Sequence, residues 1–513
     1  MSTAITLSLS DWLVIAGYVT LMFAIPIILH RPQRSANEFF LAGRGMHWAF
    51  VGISMYASLF STISFVANPG EAYKNGMLLA LYSVGYTLFV PLAIWIFLRF
   101  FYNTTSFSAY EYLERRFNVQ TRTLGSIVFL ISRSLYAALV LYSAAKIFQS
   151  LLGWPAWLSI IVIMNISVVY SFAGGMRTLI VADTVKTVFL MAGLFCLLWK
   201  LAVAVGFNFS AVWSFAAAHN HTLGALGTAE FYSFDPHLRL TLWVLLFYAI
   251  TTPLANYGTD QLFLQKVLVT DSYRSAVKAI LTKTLAALPI SLLFYYLGLL
   301  LYYYYNRLNS PPPGVTPDAI LGHFINHHLA PPLPGIVTVA MLAAMMASLD
   351  STINALSTIF TIDIVERFHV VPAGRLSLHA LGRSLTIIWG VVLTALALVM
   401  TATGESVETT IAELSVIWSS LWGVLLMVVL GGIFTRWITG RAAAIALSVG
   451  IVLTLVLPWP LYYATPSAQR ISFIWVGVPG WIVTLIVMVM VSAFDSKKST
   501  SLDGLTWKTV TRG

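Results

Sequence analysis
Met345-Met-Ala-Ser-Leu-Asp-Ser-Thr-Ile-Asn-Ala-Leu-Ser357 sets four hydroxyl side chains, an aspartate and an asparagine inside an otherwise apolar stretch. A lone carboxylate at the centre of a bilayer costs roughly 2.5 to 3.5 kcal/mol even on insertion scales, so such groups face an ion, a partner charge or a water-filled path. The stretch therefore reads as half of a sodium site within a membrane-spanning helix. The rest of the chain agrees with that setting. Of its residues 58% are hydrophobic and 9% charged, and apolar runs of about 20 residues recur, which describes a polytopic membrane protein rather than a soluble enzyme.

The apolar runs predict an all-α protein of about thirteen transmembrane helices, at 8–30, 46–69, 76–100, 123–152, 155–173, 178–206, 239–265, 279–306, 334–362, 379–402, 409–434, 442–464 and 472–494. An odd count puts the termini on opposite sides. With the N-terminus outside, the inner segments collect Arg31, Arg34, Arg44, Arg115, Arg116, Arg122, Lys266, Arg274, Lys278, Lys283, Arg367, Arg375, Lys497 and Lys498, while the outer loops hold little beyond Lys74, Arg239, Arg307 and Arg470. By the positive-inside rule this fixes the orientation. The formal net charge of +10 is then a topology signal, and no nucleic-acid partner is implied. The first apolar run opens without a basic segment and has no small-residue cleavage site after it, so it reads as a span and not a signal peptide; a bacterial inner membrane fits. The single cysteine, Cys196, excludes an intrachain disulfide and a cysteine metal cluster. His219 with His221, and His327 with His328, lie in the loops 207–238 and 307–333 without metal-ligand spacing. On the inner side, Ser106 to Phe117 has the period and mixed charge of an interfacial helix.

Two spans are interrupted. The second reads Ser54-Met-Tyr-Ala-Ser-Leu-Phe-Ser-Thr-Ile-Ser64 and then Asn68-Pro-Gly-Glu-Ala-Tyr73; the seventh reads Thr251-Thr-Pro-Leu-Ala-Asn-Tyr-Gly-Thr-Asp-Gln261, where Pro253 and Gly258 weaken the helix. Broken helices at matching positions of two inverted repeats are how secondary transporters free backbone carbonyls for a cation at the midplane.

With these segments the chain resembles the sodium/solute symporter family. The likeness rests on Ser61-Thr-Ile-Ser-Phe with Pro69-Gly-Glu-Ala-Tyr73, Tyr170-Ser-Phe-Ala-Gly-Gly-Met176 followed by Ala182-Asp183, Thr259-Asp-Gln with Gln265-Lys266, and Ser348 to Asp363. The resemblance implies a leucine-transporter-like core of two inverted five-helix repeats, 46–206 and 239–434, joined by the outer loop 207–238. One extra helix precedes them within 1–45, two follow within 435–494, and 495–513 forms an inner tail. The resemblance also implies a sodium site from the carbonyls of Ala57, Phe60 and Ala344 with the hydroxyl of Ser348. Relatives commonly carry two adjacent hydroxyls there, whereas this chain has Ala347 then Ser348. Some relatives hold a second sodium, for which Asp183 matches the aspartate and Ser351 one of the hydroxyls, whereas Asp350 occupies another hydroxyl position and Leu59 replaces a threonine that can contribute. The competing structural reading pairs Asp350 with Arg133 or Lys186 and leaves Asp183 as a helix cap.

For the solute, the same positions imply Ser61, Ser64, Tyr82, Ser83, Arg133, Tyr136, Asn256, Asp260, Ser415, Trp418 and Ser419, with Tyr248, Tyr257 and Trp418 as candidate gates. The motif at 68–73 resembles the monocarboxylate, vitamin, iodide and sialic-acid branches more than the sugar branch, and an intramembrane Arg133 favours an anion. Sialic-acid carriers place their arginine about a turn further along, where this chain has Tyr136, and a structural pairing of Arg133 with Glu71, Asp350 or a carbonyl competes. The expected function is sodium-coupled symport of a small organic solute, a carboxylate or other anion, by alternating access. A proton-coupled carrier using Asp183 or Asp350 as a relay, and a sugar or polyol symporter, are the alternatives. No nucleophile, base and metal converge as an enzyme would require.

Overall fold
The computed structural model describes residues 7–29, 35–102, 108–311, 313–370, 377–403, 411–466, 469–495, 502 and 504–510, and the described residues are helices joined by turns and short loops. The expected charges at Arg31, Arg34, Arg375, Lys497 and Lys498, and the start of the interfacial helix at Ser106, lie outside them. The principal helices are α1 (Leu9–Ile28), α2 (Trp48–Leu59), α3 (Thr62–Asn75), α4 (Leu81–Ala93), α5 (Ala109–Arg116), α6 (Val119–Leu152), α7 (Ala156–Ala204), α8 (Leu242–Gly258), α9 (Gln261–Leu268), α10 (Tyr273–Tyr303), α11 (Leu333–Ile359), α12 (Leu378–Thr403), α13 (Ile411–Ser419), α14 (Leu421–Phe434), α15 (Gly440–Val456) and α16 (Val478–Phe494). Among the described residues ten helices are long and apolar enough to cross a membrane, and eleven when the bent α2–α3 pair is one span.

The two interrupted spans are broken where polar and small residues cluster. α2 and α3 meet at a bend of 54°, with Phe60 at φ −83°, ψ 102° between them. α8 ends at Gly258, and Thr259 and Asp260 leave the helical region before Asp260 caps α9 by accepting the Leu262 N–H at 3.0 Å. Pro253 stays inside α8; the break falls several residues later, where the Asp260 carboxylate offers the backbone an alternative partner. Gly258 admits the Phe97 ring to within 2.6 Å of where a Cβ would stand. α7 holds the two spans expected at 155–173 and 178–206, separated at Gly175 with φ 65° and ψ 178°, a conformation that costs a glycine little.

α11 lies at the centre. It packs against α7, α6, α2, α1 and α12, and 94% of its most apolar window is buried, so the polar residues of 345–357 face protein rather than lipid. α1 is fastened to its start: Asp11, fully buried, closes a capping box with Ser8 and accepts the Gly335 N–H at 2.8 Å. That bond satisfies an orphan donor of the first turn of α11. At the other end of the bundle α5 packs on α6, and Arg116 donates to the carbonyls of Gly432, Thr435 and Ile438 at 3.0, 2.9 and 3.3 Å. Arg116 is therefore buried against the end of α14, and Arg122, Lys266 and Lys283 are buried as well. Counted with the inner segments by sequence, each of them sits among helices.

Candidate functional site
The stretch on α11 meets the α2 end of the first break. Ser58 donates to the Ser54 carbonyl at 3.0 Å and reaches the Ala347 carbonyl at 3.4 Å, with its oxygen 2.8 Å from Ser351 Oγ. Ala57, Phe60, Ala344 and Ser348 are all buried: two at the end of a helix whose last carbonyls lack intrahelical donors, two a turn apart on one face of α11. Among the described residues Ser348 Oγ makes no hydrogen bond. Carbonyls with a hydroxyl are hard oxygen ligands suited to sodium.

One turn away, Asp183, Asp350 and Ser351 come together as the sequence suggested, but with company. Lys266, from α9, donates to Asp183 Oδ2 at 2.9 Å, to the Ser54 carbonyl at 3.0 Å, to Ser54 Oγ at 2.7 Å and to Ser58 Oγ at 2.5 Å. Lys186 lies 3.3 Å from Asp183 Oδ1 and 2.6 Å from Asp350 Oδ2, with its ammonium 4.7 Å above the Tyr170 ring. Ser54 Oγ donates to Asp183 Oδ2 at 2.6 Å. Asp183 is thus no helix cap: it joins α2, α7 and α9. The pairing of Asp350 with Lys186, one of the two structural alternatives, is present.

The solute candidates divide into two groups. Arg133 forms an ion pair with Asp260 across the second break, and its guanidinium lies 5.4 Å over Tyr136 and 4.9 Å over Trp422. Arg133 is therefore neutralised by another residue on the same candidate list, and the expected partners Glu71 and Asp350 are engaged elsewhere. Glu71 binds Arg239 at 2.6 and 2.8 Å, and Arg239 continues to Glu413 on α13 at 3.0 Å. In the second group Tyr82 stacks on Tyr248 with centroids 4.3 Å apart, and Asn256 donates to Tyr86 at 3.3 Å. Tyr86 also accepts from Lys283 at 2.6 Å, and the Lys283 ammonium stands 4.5, 5.5 and 5.3 Å from the rings of Tyr86, Tyr257 and Phe263. Asn256 Oδ1 and the Tyr257 hydroxyl beside it are buried without partners. Ser61 lies in the first break and Ser64 in the first turn of α3. Ser83 and Ser419 are committed to packing, through Ser291 at 2.7 Å and the Ser415 carbonyl at 2.6 Å. Trp418 packs with the second apolar cluster around Ile417 and Tyr462. No cluster of His, Cys, Asp and Glu fit for a metal is found among the described residues.

The model of the sodium:solute symporter family matches residues 39–450. The chain belongs to this family. It is 25% identical over 488 residues to the sodium/sialic acid symporter NanT of Aliivibrio fischeri, covering 93% of this chain and 92% of that one. It is 25% identical over 410 residues to the sodium-coupled monocarboxylate transporter 2 of Mus musculus, covering 78% of this chain and 64% of that protein. The fold is similar to a solved structure of a Na+-coupled sialic acid symporter in a substrate-bound outward-open state, with a TM-score of 0.84 at 21% identity over 96% of this chain and 99% of that one. This symporter is thus a multi-pass membrane transporter and not an enzyme.

Within the symporter, Lys266, Lys283, Tyr86 and Trp422 are the residues that sequence reasoning did not place near the sites. The two lysines were legible as charges close to polar segments, but counting them toward loop charge hid them. Lys283, the fifth residue of the apolar run 279–306, was the available signal.

Proposed function
We propose that this symporter couples inward sodium movement to import of a small organic anion by alternating access. The observation that carries the anion is Lys283: among the described residues no carboxylate pairs with its buried ammonium. An unneutralised buried charge is costly unless rings or a bound counter-ion compensate it. Tyr86, Tyr257 and Phe263 supply the rings, and a solute carboxylate would supply the counter-ion, with Asn256 and the Tyr257 hydroxyl completing its contacts. Arg133, already paired with Asp260, then orients the second break rather than holding the solute charge. The NanT and monocarboxylate relatives, whose names specify anionic solutes, support the same class.

Sodium is assigned to Ala57, Phe60, Ala344 and Ser348. Bound there, it links α2 to α11 and stabilises one arrangement of the two repeats through differential affinity. In this reading the core comprises 46–206 and 239–434, thirteen spans cross a plasma membrane, and the N-terminus lies outside. Ala156–Phe172 and the α8–α9 pair supply the spans beyond those that length and composition identify.

The test is a thermal-shift screen of the purified protein against sialic acid and a panel of monocarboxylates, in sodium and again in potassium at equal ionic strength. Binding to the folded state raises its stability by mass action. Stabilisation by an anion in sodium alone supports the proposal; stabilisation by neutral sugars alone, or independent of sodium, contradicts it.

A further inference from the structure
The position between α7 and α11 that could take a second cation is already furnished with two. On α7 Asp183 is engaged by Lys186, Lys266 and Ser54, and on α2 Ser54 Oγ and Ser58 Oγ are engaged by Lys266; Ser351 Oγ of α11 lies 2.8 Å from Ser58 Oγ, and Ser167 Oγ of α7 is buried without a partner. Asp350 Oδ2 holds Lys186, leaving only Oδ1 of that carboxylate without a partner. Asp183, Asp350, Lys186 and Lys266 are at most 1% exposed. Two carboxylates against two ammoniums leave no net charge to attract an ion. A sodium ion entering would face two like charges at contact range in a medium that screens them poorly.

We propose that Lys266 and Lys186 act as built-in cations at this position, so that the symporter binds a single sodium ion in each cycle. This rests on the sodium-coupled reading above and goes beyond it by fixing the stoichiometry. The lysines differ from a bound ion in one physical respect. A sodium ion would leave with each turnover, whereas Lys266 is tethered to α9 and keeps α2, α7 and α9 joined through Ser54, Ser58 and Asp183. The second ion's contribution to holding these helices together is made permanent, and the electrical work gained from its transfer is given up.

The experiment uses the full-length purified protein and sodium alone. Radioactive sodium bound per chain at saturation is measured by equilibrium dialysis, with the Hill slope taken from a sodium titration of tryptophan fluorescence. One ion per chain and a slope of one are expected. Lys266→Met, which removes the ammonium from Asp183 Oδ2 and from the Ser54 and Ser58 hydroxyls, is expected to bind two ions with a slope above one, and Lys266→Arg to bind one. Two ions on the unaltered protein, or one on Lys266→Met, would overturn the inference while leaving sodium coupling intact. No sodium bound at all would overturn the sodium reading itself. Where Lys266→Met does not fold, Ser348→Ala decides. A single site predicts that the whole isotherm moves to at least tenfold higher sodium in one phase, whereas a residual high-affinity phase means a second site and overturns the inference.

Discussion

Ser348 and Lys283 carry the two halves of the transport reading, and single substitutions separate them. Ser348→Ala removes the side-chain oxygen from a site otherwise built of carbonyls. The sodium concentration for half-maximal uptake should rise several-fold, with solute affinity at saturating sodium little changed; equal sodium dependence in uptake assays would remove Ser348 from the site. Lys283→Met should abolish anion-induced stabilisation while leaving the sodium-induced shift in place, because the Lys283 ammonium contacts rings and Tyr86 and none of the proposed sodium ligands. Arg133→Met should instead destabilise the fold by about 3 to 5 kcal/mol, since it leaves the Asp260 carboxylate buried without its partner. Thermal unfolding checks the difference: a large loss at Arg133 and a selective loss of ligand response at Lys283. Residue types told where charge would be unusual, but not which charges would meet. Arg133 and Asp260 both stood among the solute candidates, yet the pair they form is 127 residues apart in sequence.

At the level of elements, capping and breakage were the most legible features. Hydroxyl-rich runs ending in Asn68-Pro-Gly and Tyr257-Gly-Thr-Asp correctly marked the two discontinuous spans, because a helix there loses propensity while local polar side chains offer other hydrogen bonds. Of the two residues expected to weaken the seventh span, Gly258 borders the break at Thr259 and Asp260 while Pro253 stays inside α8; packing against Phe97 and the Asp260 cap accompany the break. α5 provides a pH-dependent strap. Glu114 binds Arg367 at 2.6 Å and Arg122 at 2.9 Å, and the Arg367 hydrogen bond foremost, with Arg122 beside it, holds its carboxyl below the usual carboxylate range. A depressed carboxylate pKa stabilises the fold above the unfolded value of about 4.3, and that contribution is lost as pH falls through the lower folded value. The unfolding temperature should therefore decline on acidification below about pH 4.3, and Glu114→Gln should lower it at pH 7 while flattening that acid limb.

For the whole molecule, orientation is the testable consequence of charge distribution. Reporter fusions at the C-terminus should read as cytoplasmic and fusions at the N-terminus as external, as an odd number of spans requires; both ends on one side would remove a span from the proposed thirteen. By itself the sequence determined the class, the two breaks and the family, because these follow from local hydropathy, helix propensity and short motifs. Only the tertiary structure decided that Lys266 and Lys186 meet Asp183 and Asp350, that Arg133 is neutralised, and that Lys283 is not. The reason is physical: an ion pair inside a membrane protein is selected by which helices pack face to face, and a residue's spacing along one helix says nothing about the charge that arrives from another.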